Sequence, residues 1–227
     1  MVVVERSEVK STVSCPILHT SSTVFLVGAG PATSAVIQST AAYADTVVAA
    51  DGGFQSARAA SLDVALVVGD MDSQTDWSAA QAIAKIDDQE TTDFEKCLRV
   101  CAADIFLGVG FLGGRLDHQL AAFSALLKEP RPVVLIDEDQ LVFVVPMQFQ
   151  MDLEANSPLG FYPMLPVQVT LQGVQWPLQD VEMHPTGQIA TSNMSNGELL
   201  HVQVDGPGLL AIMPACHLSS VLEALRN

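Results

Sequence analysis

Short apolar runs that stop at glycine or aspartate recur through the first 137 residues, with helix-like segments between them. The runs are TVFLVG (23–28), TVVAAD (46–51), VALVVGD (64–70), DIFLGVG (104–110) and PVVLID (132–137). A half-exposed strand would alternate apolar and polar residues; continuous apolar runs of this length suit strands covered on both faces. Between them, PATSAVIQSTAAYA (31–44), a segment from about Phe54, TDFEKCLRVCAA (92–103) and LDHQLAAFSALL (116–127) read as helices. Phe94, Leu98 and Cys101 fall on one face of the third. Apolar strands alternating with helices predict an α/β unit built on a parallel sheet.

After about Glu138 the pattern changes. LVFVVP, FQMDL, GFYPML, VQVTL, GQIAT, LLHVQV and GLLAIM are short strand-like runs punctuated by Pro, Gly and Asn. They predict a small all-β sandwich, with a domain boundary between residues 137 and 138. The closing HLSSVLEALRN sets Leu218, Val221, Leu222 and Leu225 on one helical face and predicts a helical tail.

Composition narrows the partners. With 26 acidic and 10 basic residues the formal charge is -16, which disfavours nucleic acid and anionic membrane surfaces. The chain is 49% apolar and only 16% charged, against roughly 25% in an average soluble protein, so a large core and a subunit interface are expected. Cys15, Cys97, Cys101 and Cys216 match no zinc spacing and read as small buried thiols in a reducing compartment. The opening MVVVERSEVKSTVSC breaks its apolar runs with charges and has no signal-peptide core. No apolar segment is long enough to span a bilayer, and a cytoplasmic location is expected.

Ligands of open parallel sheets collect beyond the carboxyl ends of the strands. Four polar clusters fall there: GAGPAT (28–33), ADGG (50–53), GDMDS (69–73) and GVGFLGGRLDH (108–118). Asp51, Asp70, Asp72, Arg115, Asp117 and His118 would then share one rim. Several carboxylates without a Cys or His cluster suit a hard cation such as Mg2+, and Arg115 offers a planar fork for phosphate. GAGPAT also has the look of a dinucleotide-binding turn, with Asp51 where a ribose-binding acid would stand. Its third glycine position, however, holds Thr33, and the pattern leaves GDMDS and GGRLDH unused. Each residue has a purely structural alternative. Asp51 would cap a helix. Thr92 or Asp93 would cap the next, with Glu95 or Lys96 solvated. Arg115 and Asp117 would form a surface pair, and His118 would be an ordinary helix residue.

In combination, ADGG, GDMDS, TTDFEKCL and GGRLDH, in this order, resemble the thiamine pyrophosphokinase family. GFYPML, VTLQGVQWPL and TSN resemble that family's second domain. The resemblance implies a Rossmann-like catalytic domain followed by a β-sandwich that binds thiamine, working as a homodimer. It implies transfer of the β,γ-diphosphoryl group of ATP to the hydroxyl of thiamine, leaving AMP. Carried over by position, Asp51, Asp70, Asp72 and Asp93 would hold Mg2+, and Asp70, Asp72, Asp93 and Arg115 would be catalytic. Asp51, Gly52, Ser73, Arg115, Asp117 and His118 would bind ATP, and Ser192 and Asn193 thiamine. Phe54 and Gln55 after ADGG, QLAAF after GGRLDH, Ala211 and the helical tail depart from the family pattern. A pyrophosphokinase for another small alcohol, such as a pterin, and a non-catalytic sensor of nucleotide or thiamine diphosphate are the alternatives.

Overall fold

A computed structural model of the chain describes residues 18–20, 22–73 and 76–226. The N-terminal stretch with Cys15, on which the signal-peptide expectation rests, lies outside the described residues. The chain divides into two compact units, Met1–Glu138 and Asp139–Asn227.

In the first unit the elements run β1 (Leu18–His19), β2 (Thr23–Val27), α1 (Ser34–Ala41), β3 (Thr46–Ala50), α2 (Gly53–Ala59), β4 (Leu66–Gly69), β5 (Ile83–Lys85), α3 (Asp93–Val100), β6 (Cys101–Ala102), β7 (Ile105–Val109), α4 (Leu116–Lys128) and β8 (Val133–Ile136). Six strands pair in the order β8-β7-β2-β3-β4-β5, and every pair is parallel. All residues of β2, β4, β7 and β8 are buried, as strands covered on both faces must be. From β2 the chain steps outward through β3, β4 and β5, while β7 and β8 lie on its other side. The crevice that forms at such a reversal is where a parallel sheet takes its ligand.

Two features differ from the sequence expectation. The acidic connector after β4 contributes a sixth sheet strand, β5, too short to register as an apolar run. The third helix stops at Val100, because Cys101 turns extended and pairs in β6 with β1. Cys97 and Cys101 therefore do not share a helix, although both are buried; Cys216 is exposed, against the expectation of a buried thiol.

The second unit contains β9 (Gln140–Val144), β10 (Gln148–Met151), β11 (Pro158–Pro163), β12 (Val167–Gln172), β13 (Leu178–Met183), β14 (Ala190–Met194), β15 (Leu200–Val204), β16 (Leu209–Pro214) and α5 (Leu218–Arg226). The strands pair antiparallel as β14-β11-β16-β9 and β10-β15-β12-β13. Period-2 burial along β12 and β15 gives each an apolar face, and Phe143 of β9 meets Phe149 of β10 with ring centroids 5.1 Å apart. α5 packs on β10 and buries Leu218, Val221 and Leu222.

Candidate active site

The carboxyl ends of β2, β3, β4 and β7, with the first turns of α3 and α4, enclose a cleft of about 650 Å³. That lies within the ordinary range for small-molecule sites. Its floor exists because two loops approach without side chains. Gly28 donates to Val109 O at 2.8 Å and Gly30 to Gly110 O at 2.9 Å. A Cβ on Gly28 or Gly30 would sit 2.5 Å from Gly110 O, and one on Gly110, at φ +80, would sit 2.6 Å from Gly28 O. Only glycine fits at such an approach.

One wall is acidic. Asp51 follows β3 with a left-handed φ of 37, and its N–H is held by Val68 O at 2.8 Å. A Cβ at Gly69 would fall 2.8 Å from Asp51 Cβ and 3.3 Å from Asp93 Oδ1, so glycine there leaves room for the carboxylates. Asp93 opens α3, fixed by a capping box in which Thr92 Oγ1 accepts from Glu95 N–H and Glu95 accepts from Thr92 N–H. At the far end of α3, Arg131 donates to Leu98 O and Cys101 O, both at 2.7 Å, so both ends of the helix are held. Asp70 accepts from Gln89 Nε2 at 3.1 Å and from Asp72 N–H at 3.3 Å, while Ser73 Oγ donates to Asp51 Oδ1 at 3.1 Å.

Asp51, Asp70 and Asp93 each bring a carboxylate oxygen to within 4.8 Å of the others. Two like charges at that distance repel by on the order of 3 kcal/mol at an effective dielectric near 20. Lys96 offsets part of this, its Nζ lying 2.9 Å from Asp93 Oδ1. Burial pushes the Asp51 carboxyl above the usual range against the Ser73 hydrogen bond, and the charges of Asp93, Asp72 and Asp70 add to the rise. For Asp70, burial also acts upward, but the hydrogen bonds from Gln89 and Asp72 N–H, with the Lys96 charge, hold it below that range. A hard-oxygen donor set with residual negative charge fits a divalent cation such as Mg2+.

The other wall is basic and open. Gly113 and Gly114 take φ of +72 and +66 and lead into Arg115, the cap residue of α4. Arg115 Nε and Nη2 lie 3.1 and 2.5 Å from the two carboxylate oxygens of Asp117, and both side chains are exposed. The hydrogen bonds and charge of each partner raise the Arg115 pKa and lower that of Asp117. The first turn of α4 faces the cleft with His118, whose backbone N–H donates to Asp117 Oδ1 at 3.0 Å, and a helix start favours an anion.

Of the residues singled out in the sequence, Asp51, Gly52, Asp70, Ser73, Asp93, Arg115 and His118 line this one cleft. Asp72 is exposed beside the acidic group and outside its three-oxygen cluster, and Asp117 reaches the site through Arg115. Ser192 and Asn193 lie on β14 of the second unit. Ser192 is exposed at φ 60, whereas Asn193 is buried and brackets the Trp176 backbone. Asn193 Oδ1 accepts from Trp176 N–H at 3.2 Å, and its Nδ2 donates to Trp176 O at 2.9 Å. Thr92 is the cap of α3, and Asp51 makes no side-chain cap of α2, whose cap residue is Gly52.

The structural alternative in which Glu95 or Lys96 is solvated does not hold for Lys96, of which only 2% is exposed. The missed signal is Val100, which lies next to Lys96 on the helical wheel and widens the buried face beyond Phe94 and Leu98. Gln89, the donor to Asp70, sits in the connector where no periodic pattern marks it.

The chain matches the family model for "Thiamin pyrophosphokinase, catalytic domain" over residues 37–135 and that for "Thiamin pyrophosphokinase, vitamin B1 binding domain" over residues 147–209. It is 28% identical over 172 residues to thiamine pyrophosphokinase 2 of Arabidopsis thaliana, and 30% identical over 171 residues to thiamine pyrophosphokinase 2 of Oryza sativa subsp. japonica. Each alignment takes in 65% of this chain, which spans 64% of the length of either relative. Among solved structures, the thiamin pyrophosphokinase from Candida albicans superposes with a TM-score of 0.74 at 16% identity, over 94% of this chain and 98% of that one. A crystal structure of a protein from Lactobacillus plantarum superposes with a TM-score of 0.67 at 26% identity, over 86% and 98%.

Proposed function

The chain belongs to the thiamin pyrophosphokinase family, and on that premise we propose that it is a Mg2+-dependent diphosphotransferase using ATP and thiamine. The observation that carries this reading is one cleft with an acidic cation-type wall facing an arginine-bearing helix start. The thiamine hydroxyl oxygen bonds to the β-phosphorus of ATP. The bond from that phosphorus to the α,β-bridging oxygen breaks, AMP leaves with the electron pair, and the hydroxyl proton is released to solvent. Bound Mg2+ would neutralise charge on the phosphate chain, with Asp51, Asp70 and Asp93 as its holders and Asp72 beside them. Arg115, kept in register by Asp117, stabilises charge on the transferring group; Ser73, Gly52 and His118 position the nucleotide. Such transfer depends on positioning and charge neutralisation more than on covalent help from the protein.

The first unit, read as a Rossmann-like domain, is the catalytic part, and the second, read as a β-sandwich, binds thiamine. Support for the acceptor site comes from Ser192 and from Trp176, a residue 58% exposed next to the Asn193 bracket. An exposed indole attracts a cationic ring. A homodimer in the cytoplasm completes the reading. Among the described residues no helix is long and apolar enough to cross a membrane.

The test is AMP release from Mg-ATP with and without thiamine, with the products identified by mass. Thiamine-dependent AMP with thiamine diphosphate supports the function; AMP formed only with another alcohol, or tight binding without AMP, rejects it.

A further inference from the structure

Lys96 stands apart from the other site residues. It is the most buried charged side chain on the cleft wall, and among the described residues its ammonium donates to Asp93 alone, which leaves two of its three N–H donors for other partners. Burying a cation this deeply is unfavourable unless it answers local negative charge, and it does so at the rim of the Asp51, Asp70 and Asp93 group. α3 is held at both ends, by its capping box and by Arg131, so the Lys96 backbone has little freedom to withdraw from the cleft. Its long flexible stem leaves the ammonium able to change partners within the cleft.

We infer that Lys96 is a resident counter-cation with two roles: it neutralises Asp93 in the empty cleft and contacts phosphate oxygens once a triphosphate is bound. This rests on the reading of the cleft as a triphosphate site, and it makes Lys96 a substrate-contacting residue beside Arg115. The two roles affect binding in opposite directions. A bare divalent cation must compete with the ammonium for Asp93, whereas a phosphate chain gains a donor from it.

The experiment compares wild type with Lys96→Met, which keeps the stem and removes the charge, and with Lys96→Arg. Mn2+ alone is titrated by electron paramagnetic resonance, and the non-transferable α,β-methylene-ATP with Mg2+ by calorimetry. Lys96→Met is expected to bind Mn2+ about threefold or more tightly and the analogue about tenfold or more weakly, while Lys96→Arg recovers most of the analogue affinity. Both ligands weakened together would reduce Lys96 to a structural residue and overturn the inference, as would two unchanged affinities. If Lys96→Met loses the wild-type melting transition, Lys96→Gln takes its place under the same criteria. Neither titration involves thiamine or turnover. The opposed shifts in a wild type that makes no thiamine diphosphate would therefore support the Lys96 role while rejecting the proposed acceptor. Normal thiamine diphosphate formation with unmoved affinities would reject Lys96 alone.

Discussion

The two walls of the cleft are built on opposite principles. The acidic wall is fixed by backbone: Asp51 is held by β4 through Val68 O, Asp93 by a capping box, and both are accommodated only because residue 69 is glycine. The basic wall hangs on two consecutive left-handed glycines, and its Arg115–Asp117 pair is exposed on both sides. An exposed pair of this kind adds little to stability. Charge that must be present before the ligand is built rigidly, at the cost of repulsion and desolvation. On the proposed function, charge needed only when phosphate is present is mounted where it can be rearranged.

This contrast predicts where substitutions act. Asp70→Asn, on the rigid wall, should lower turnover by on the order of 10³-fold with the melting temperature nearly unchanged. Substantial remaining activity would remove Asp70 from the cation site. Arg115→Ala, on the open wall, should cost on the order of 10²-fold in kcat and leave thermal stability at the wild-type value. A clear loss of stability would mean that this wall is as structural as its opposite. Gly110→Ala attacks the floor shared by both and should destabilise by about 3 kcal/mol, combining a left-handed φ with a backbone clash. Denaturant unfolding measures it.

The smallest effect is the most diagnostic. The Asp51 carboxyl is raised chiefly by burial, so its contribution to folding is fully present below the unfolded aspartate pKa and is lost as pH rises through the higher folded value. At neutral pH without divalent ions, Asp51→Asn should therefore raise the melting temperature by about a few degrees while weakening Mn2+ binding. Conversely, cation affinity in the wild type should begin to fall at a pH above that typical of an exposed aspartate. A variant that melts lower than wild type would contradict the strained character of the acidic wall.

Much of this was legible in the sequence for a physical reason. Strands buried on both faces leave uninterrupted apolar runs, and the rim residues follow directly where those runs stop; Asp51, Asp70 and Arg115 were located that way. β5 was missed because three residues on a sheet edge, one of them Lys85, carry no distinctive pattern. Lys96 was missed because a charged residue reads as solvent-facing until its neighbours are known to be buried on both sides of it. Asn193 shows the reverse difficulty. The TSN motif marked a polar position on β14, but only the fold reveals that its amide is engaged with the Trp176 backbone.

The glycine floor has an implication for how such a chain can change over generations. Gly28, Gly30 and Gly110 are locked against one another's main chain, so none can acquire a side chain unless the opposite loop retreats. Single mutational steps at these positions are closed, and escape would require simultaneous change in segments about eighty residues apart. Residues 115–118 carry no such mutual veto, while Gly113 and Gly114 are held by their left-handed φ. If the proposed function holds, new acceptor preferences in descendants of this chain should accumulate around that loop and in the second unit, with the floor passed on unaltered.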